Sequence, residues 1–154
     1  MATARDLEAE VAALLRRVGQ RFTSGRRAML DELVAFDRPV TITELLSAAP
    51  GLPASSAYRH LAVLEQAGVV HRIVLGGEEH ARFELAEALT DHHHHHLICS
   101  NCGAVDDFTV PAKLERAVAD ALDEVAANTG FKAAEHRFDL IGLCARCSGS
   151  SPHQ

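Results

Sequence analysis

Asp91-His92-His93-His94-His95-His96-Leu97-Ile98-Cys99-Ser100-Asn101-Cys102-Gly103 is the stretch on which the reading of this chain turns. Five consecutive histidines run into a Cys-x-x-Cys pair. A second such pair, Cys144 and Cys147, lies near the C-terminus, and the chain holds no other cysteine. The x-x spacing lets a tight turn aim two sulfurs at one ion. Four thiols in two close pairs are therefore expected to hold a structural zinc. Two disulfides, or two dithiol redox centres, are the alternatives for the same residues.

A histidine run can be a purification tag, but tags sit at termini. This one lies mid-chain and flows into Leu97-Ile98, which reads as the start of a strand. In extended backbone, successive side chains point to opposite faces. His93 and His95 would then share one face, and His94 and His96 the other. Residues two apart on a strand can grip one metal, so the run could feed two distinct sites. A solvated polar linker is the plainer alternative.

At 154 residues the chain suits one large domain or two small ones. Apolar content is 47%, with 5% aromatics and no Trp, so a core of Leu, Val, Ile and Ala is expected. No apolar run approaches the roughly 20 residues of a membrane span. Charges at Arg5, Asp6, Glu8 and Glu10 interrupt any signal-peptide pattern. A cytoplasmic location follows as the expectation, and there reduced thiols favour metal over disulfide. The net charge of −6 argues against broad attraction to nucleic acid. Most of the acidic excess falls after residue 88, so a DNA-binding surface would have to be local.

From Asp6 to Gly19, Leu7, Val11, Leu14, Leu15 and Val18 recur at helical spacing. A second helix is expected to begin after Thr23-Ser24 and run to about Phe36, with Met29, Leu30, Leu33 and Val34 inward, before Arg38-Pro39 breaks the chain. Thr41 and Glu44 have capping-box spacing, which opens a short helix ended by Pro50-Gly51. Pro53-Ala54-Ser55-Ser56 starts a fourth, stopped at Gly68. The period then changes to that of strands: Val69 to Leu75, a Gly76-Gly77 turn, and Ala81 to Leu85 returning. Helix, turn, helix and hairpin is the layout of a winged helix-turn-helix. Its recognition helix would begin near Pro53, with Ser55, Ser56, Tyr58 and Arg59 toward DNA.

Residues 86–92 read as a polar hinge. Strands are expected at Leu97-Ile98 and at Ala104 to Phe108, around the first cysteine pair. Pro111 fits the first turn of a helix reaching about Asn128, with Leu114, Val118, Leu122 and Val125 on one face. Gly130 ends that helix, Phe131 to Leu143 resumes strand character, and the tail looks disordered. The division is 1–85 for a winged-helix DNA-binding domain, 86–92 for the hinge, 93–148 for a metal-binding domain and 149–154 for the tail.

Several pieces together resemble the ferric uptake regulator family over about residues 20–147. They are Ser55-Ser56-Ala57-Tyr58-Arg59-His60-Leu61, then Leu64-Glu65-Gln66-Ala67-Gly68-Val69-Val70, the histidine run with its Cys-x-x-Cys-Gly, and His136 followed by Gly142-Leu143-Cys144-x-x-Cys147. The resemblance implies a homodimeric, metal-dependent transcriptional repressor without enzymatic activity. Its fold would be α+β, an N-terminal winged helix-turn-helix followed by a C-terminal α/β dimerisation domain with a four-cysteine zinc site.

Carried over residue by residue, the resemblance implies three sites. Structural zinc takes Cys99, Cys102, Cys144 and Cys147. A regulatory site at the hinge takes His71, Glu84, His94 and His96, with His80 as a substitute for Glu84. A second metal site takes His93, His95, Glu115 and His136. Two departures stand out. No histidine precedes His60, where iron-type members often add one near Arg38-Pro39-Val40, and no cysteine is spare for the hinge, where zinc-type members often have one.

The nitrogen-rich pocket expected at the hinge favours zinc, nickel or cobalt over magnesium or calcium. The expected function is thus repression of metal-homeostasis genes in response to zinc, with double-stranded operator DNA as partner and no membrane. Ferrous iron, nickel, manganese or peroxide are alternatives within the family. Outside it, a zinc buffer or metallochaperone lacking DNA binding is the rival reading, and a metal-dependent hydrolase finds no nucleophile or base constellation.

Overall fold

The computed structural model describes residues 4–74, 81–90, 93–132 and 136–149. Four helices open the chain: α1 (Ala4–Arg17), α2 (Ser24–Phe36), α3 (Ile42–Ala48) and α4 (Ala54–Gln66). Helix α1 carries Asp6 in its first turn and Arg16 and Arg17 in its last, which complements the helix dipole. Helix α3 is only seven residues long and depends on its cap. The Glu44 N–H donates to Thr41 Oγ1 at 3.2 Å, and the Thr41 N–H donates to Glu44 Oε2 at 2.8 Å. These bonds satisfy two amides that the helix itself leaves unpaired.

After α4, Gly68 takes φ +72°, a left-handed conformation that a side chain would strain. The chain thereby reverses, with the Val69 N–H donating to Leu64 O at 2.9 Å. Strands β1 (Val70–Ile73) and β2 (Arg82–Leu85) then pair antiparallel as the wing. Val40 and Phe83 exchange backbone hydrogen bonds of 2.9 and 2.7 Å, which ties the α2–α3 loop to the wing. Leu15, Met29, Leu30, Leu45, Leu61 and Leu64 are all at most 1% exposed and form one core with Val69, Val70 and Phe83. Each such leucine contributes about 1.5–3 kcal/mol by burial. This packing is what presents one face of α4 to solvent.

Beyond a single 3₁₀ turn at Glu87–Leu89 comes a three-stranded sheet of order β4-β3-β5. Its strands are β3 (His95–Cys99), β4 (Val105–Phe108) and β5 (Asp139–Gly142), with α5 (Ala112–Thr129) between β4 and β5 and α6 (Ala145–Ser148) last. Strand β3 pairs antiparallel with β4 and parallel with β5. Parallel pairing puts the C-terminal ends of β3 and β5 side by side. That is how cysteines more than forty positions apart in the chain come together.

The structure corrects several sequence expectations. Val34, read as inward, is 45% exposed. Pro111 caps α5 from outside instead of occupying its first turn. Among the described residues between Phe131 and Leu143, strand is confined to Asp139–Gly142. The hinge is not wholly irregular, since it contains the Glu87–Leu89 turn, anchored by Ala86 at 4% exposure. The apolar face of α5 is largely exposed in the single chain, with Leu114, Leu122 and Val125 exposed and Val118 half-buried. Gly76-Gly77, His80, Asp91, His92 and the tail beyond Gly149 lie outside the described residues.

Candidate metal centres

Three groups of four side chains among the described residues bring one donor atom each to within 4.8 Å of one another. The first is Cys99, Cys102, Cys144 and Cys147. A tetrahedral ion with zinc–sulfur bonds of about 2.3 Å separates its sulfurs by about 3.8 Å. Cys102 Sγ and Cys144 Sγ are 3.8 Å apart. The Cys144 backbone N–H donates to Cys99 Sγ at 3.4 Å, and Asn101 Nδ2 donates to Cys147 Sγ at 3.3 Å. Donation from the Cys144 amide, then from the Cys102 amide, holds the Cys99 thiol down to about 6. Four sulfurs gathered at this tetrahedral spacing are a donor set that fits zinc.

The second group is His93, His95, Glu115 and His136. Glu115 stands in the first turn of α5, aimed at the histidine run. His95 Nε2 lies 3.2 Å from Glu115 Oε2, and His136 Nε2 lies 3.3 Å from Glu115 Oε1. His93 contacts both Glu87 and Glu115. Rings of Phe108 and Phe138, with centroids 5.5 and 5.3 Å from that of His95, wall it in. His95 is 3% exposed as a result.

The third group is Glu84, His94, His96 and Asp107, on the opposite side of the run. His96 Nε2 is 3.0 Å from Glu84 Oε1 and 3.9 Å from Asp107 Oδ1. His94 Nε2 is 3.2 Å from Glu84 Oε2. Donors bound to zinc at about 2.0–2.2 Å sit roughly 3.3–3.6 Å apart. The observed spacings bracket that range, so a small divalent ion fits with little movement. Burial pushes Glu84 up, but hydrogen bonds and charge from His96 and then His94 outweigh it and hold the carboxyl below its usual range. For His96 burial acts downward, and Glu84 followed by Asp139 more than offsets it, so the imidazole is held above its ordinary value. Asp107 is raised, first by burial and further by the Glu84 charge.

His93 and His95 thus stand in one group and His94 and His96 in another, as alternation along extended backbone requires. The hinge group differs from expectation in one member. His71 lies opposite Glu84 in the wing register and lines the same small cavity, yet its ring nitrogens fall outside the group. Asp107 takes the fourth place instead. Strand β4 pairs with β3 in the register His96↔Asp107, and directly opposed residues of an antiparallel pair share a face. Sequence reasoning missed Asp107 because either Asp106 or Asp107 could have shared that face until the register was known. Glu84 belongs to the group as expected, at 7% exposure. His80, its named substitute, lies outside the described residues.

The first half of α4 offers a polar surface. Tyr58 is 59% exposed, Ser55 and Arg59 are exposed, and Ser56 is half-buried. Arg59 Nε donates to Ser55 O at 3.3 Å, which lays its guanidinium along the helix surface. A core role for Tyr58 is excluded by that exposure. Ala57, Leu61 and Leu64 face inward on the same helix.

Comparison with known proteins agrees with this architecture. The profile of the ferric uptake regulator family matches residues 17–141. The peroxide operon regulator of Bacillus subtilis (strain 168) is 30% identical over 149 residues, covering 94% of this chain and 95% of the relative. The crystal structure of the Vibrio cholerae ferric uptake regulator superposes with a TM-score of 0.62 at 27% identity, covering 84% of this chain and 96% of that one. The ferric uptake regulator of Pseudomonas aeruginosa, solved with manganese, gives a TM-score of 0.65 at 25% identity, covering 84% and 94%.

Proposed function

The chain belongs to the ferric uptake regulator family, and from that membership we propose that it is a cytoplasmic, homodimeric, metal-dependent repressor that binds double-stranded operator DNA. Its divisions are a winged-helix DNA-binding domain at 1–85, a hinge at 86–92 and a metal-binding dimerisation domain at 93–148. One observation carries the reading. Glu84 belongs to the wing strand, whereas His94, His96 and Asp107 lie beyond the hinge, and all four converge. An ion held by this group ties the DNA-binding unit to the rest of the chain. Metal then favours whichever arrangement completes the site, by the difference in its affinity for the two arrangements.

Each of the other groups has its own part. Cys99, Cys102, Cys144 and Cys147 hold a structural zinc that staples the ends of β3 and β5. His93, His95, Glu115 and His136 form a second metal site, joining the histidine run to α5. Ser55, Ser56, Tyr58 and Arg59 meet DNA from the recognition helix. The exposed apolar side chains of α5 and β5, among them Val125, Leu140 and Ile141, support burial against a second copy of the chain. No step in this scheme requires catalysis.

We assign zinc to the regulatory group, because four donors of nitrogen and oxygen type at these spacings suit a tetrahedral ion. A second reading is ferrous iron or manganese with a response to peroxide. It is favoured by Asp107 standing where a histidine nitrogen was expected, which hardens the donor set, and by the similarity to the Bacillus subtilis peroxide operon regulator. The deciding experiment is DNA binding by the dimer at buffered free zinc, manganese or ferrous iron, using a duplex selected from a random pool. Binding switched on by zinc at the lowest free concentration supports the first reading. Activation by manganese or iron alone, lost on peroxide treatment, supports the second. Metal-independent binding, or none under any condition, overturns both.

A further inference from the structure

We propose that Asp139, which stands outside all three donor groups, is the outer-sphere positioning residue of the regulatory site and fixes the tautomer of His96. The inference rests on the reading of Glu84, His94, His96 and Asp107 as that site. Strand β5 lies parallel to β3 in the register His96↔Asp139, so the two side chains stand together. Asp139 Oδ1 is 3.2 Å from His96 Nδ1. The other ring nitrogen, Nε2, faces Glu84 Oε1 at 3.0 Å and Asp107 Oδ1 at 3.9 Å. His96 is 6% exposed, which leaves its ring little choice of partner. Asp139 is in turn steadied by Arg137, whose Nη2 donates to Oδ2 at 3.5 Å.

An imidazole carries only one N–H when neutral. Donation of Nδ1–H to the Asp139 carboxylate leaves the Nε2 lone pair directed at the ion. The negative charge behind the ring also makes Nε2 a better donor. The carboxylate therefore selects the ligating nitrogen and sets the angle at which it meets the metal. It also comes from the strand that runs on into Cys144.

The test uses full-length protein with the cysteine site filled, in a His93→Ala/His95→Ala background that leaves the regulatory group to titrate. Zinc affinity is measured by competition with a chromophoric chelator. Asp139→Leu removes the acceptor and is expected to weaken binding about 10–100-fold, the scale on which outer-sphere partners act. Asp139→Asn keeps the shape and an acceptor oxygen while losing the charge, and its loss should be smaller. In nitrogen-15 NMR of the zinc-loaded protein, His96 should carry its proton on Nδ1, with a slowly exchanging signal that Asp139→Leu abolishes. Wild-type affinity and unchanged His96 signals in both variants, with zinc lost in His96→Ala, would overturn the role of Asp139 and leave the site standing. Wild-type affinity in His96→Ala and Glu84→Ala as well would mean that the site itself is misassigned.

Discussion

Glu84 Oε1 and His96 Nε2 lie 3.0 Å apart, although they are twelve positions apart in the chain and the whole hinge runs between. Glu84 is fixed in the wing by strand pairing, and His96 is fixed in the central strand of the second sheet. Their meeting brings the wing strand and the second sheet to one group of donor atoms.

Removing both His94 and His96 as alanines should erase the dependence of DNA binding on metal. Coupling between a metal and a DNA site is typically worth about 5–150-fold in affinity, and that gain should vanish. The His93→Ala/His95→Ala pair should lower affinity or stability while retaining a metal response. DNA titrations at buffered free zinc compare them. Superimposable curves for the two double variants would show that the run feeds one site or none.

Asp107→Asn should weaken the regulatory ion at least about tenfold, since even outer-sphere partners act on that scale. His71→Ala should stay close to wild type. Chelator competition distinguishes them, and the reverse order would restore His71 as the fourth ligand.

Cys99→Ser and Cys144→Ser should each lose about one zinc per chain and lower Tm sharply, because a structural zinc contributes folding energy directly. Metal analysis and thermal melts are the measurements. Retention of both zinc and Tm would sink the four-cysteine assignment.

Tyr58→Ala and Arg59→Ala should weaken DNA binding with stability changed by no more than about 0.5 kcal/mol, as befits exposed positions. A phosphate contact from Arg59 predicts uniform loss across sequences and a smaller salt slope. Unchanged binding in both variants would move the reading surface off α4.

Val125→Asp places a charge on the exposed apolar face of α5, where Val125 is 56% exposed. If that face pairs with a second copy, sedimentation should report a shift from dimer to monomer. A dimer of unchanged affinity would assign the contact to another surface.

What the sequence determined by itself was whatever depends on neighbours along the chain. Helical spacing in α1 and α4, the Thr41–Glu44 cap and the reversal at Gly68 are local, and each is legible from side-chain period and backbone preference. The separation of His93 and His95 from His94 and His96 is equally local, because it follows from the two-residue repeat of extended backbone. Cross-strand register is another matter. Nothing in Val105-Asp106-Asp107-Phe108 says which aspartate opposes His96, and nothing near Asp139 says that β5 will lie parallel to β3 with that residue beside the imidazole. Those pairings, like the outward turn of the α5 face, are set by how distant elements pack, and they decided the fourth donor at the hinge and the carboxylate behind it.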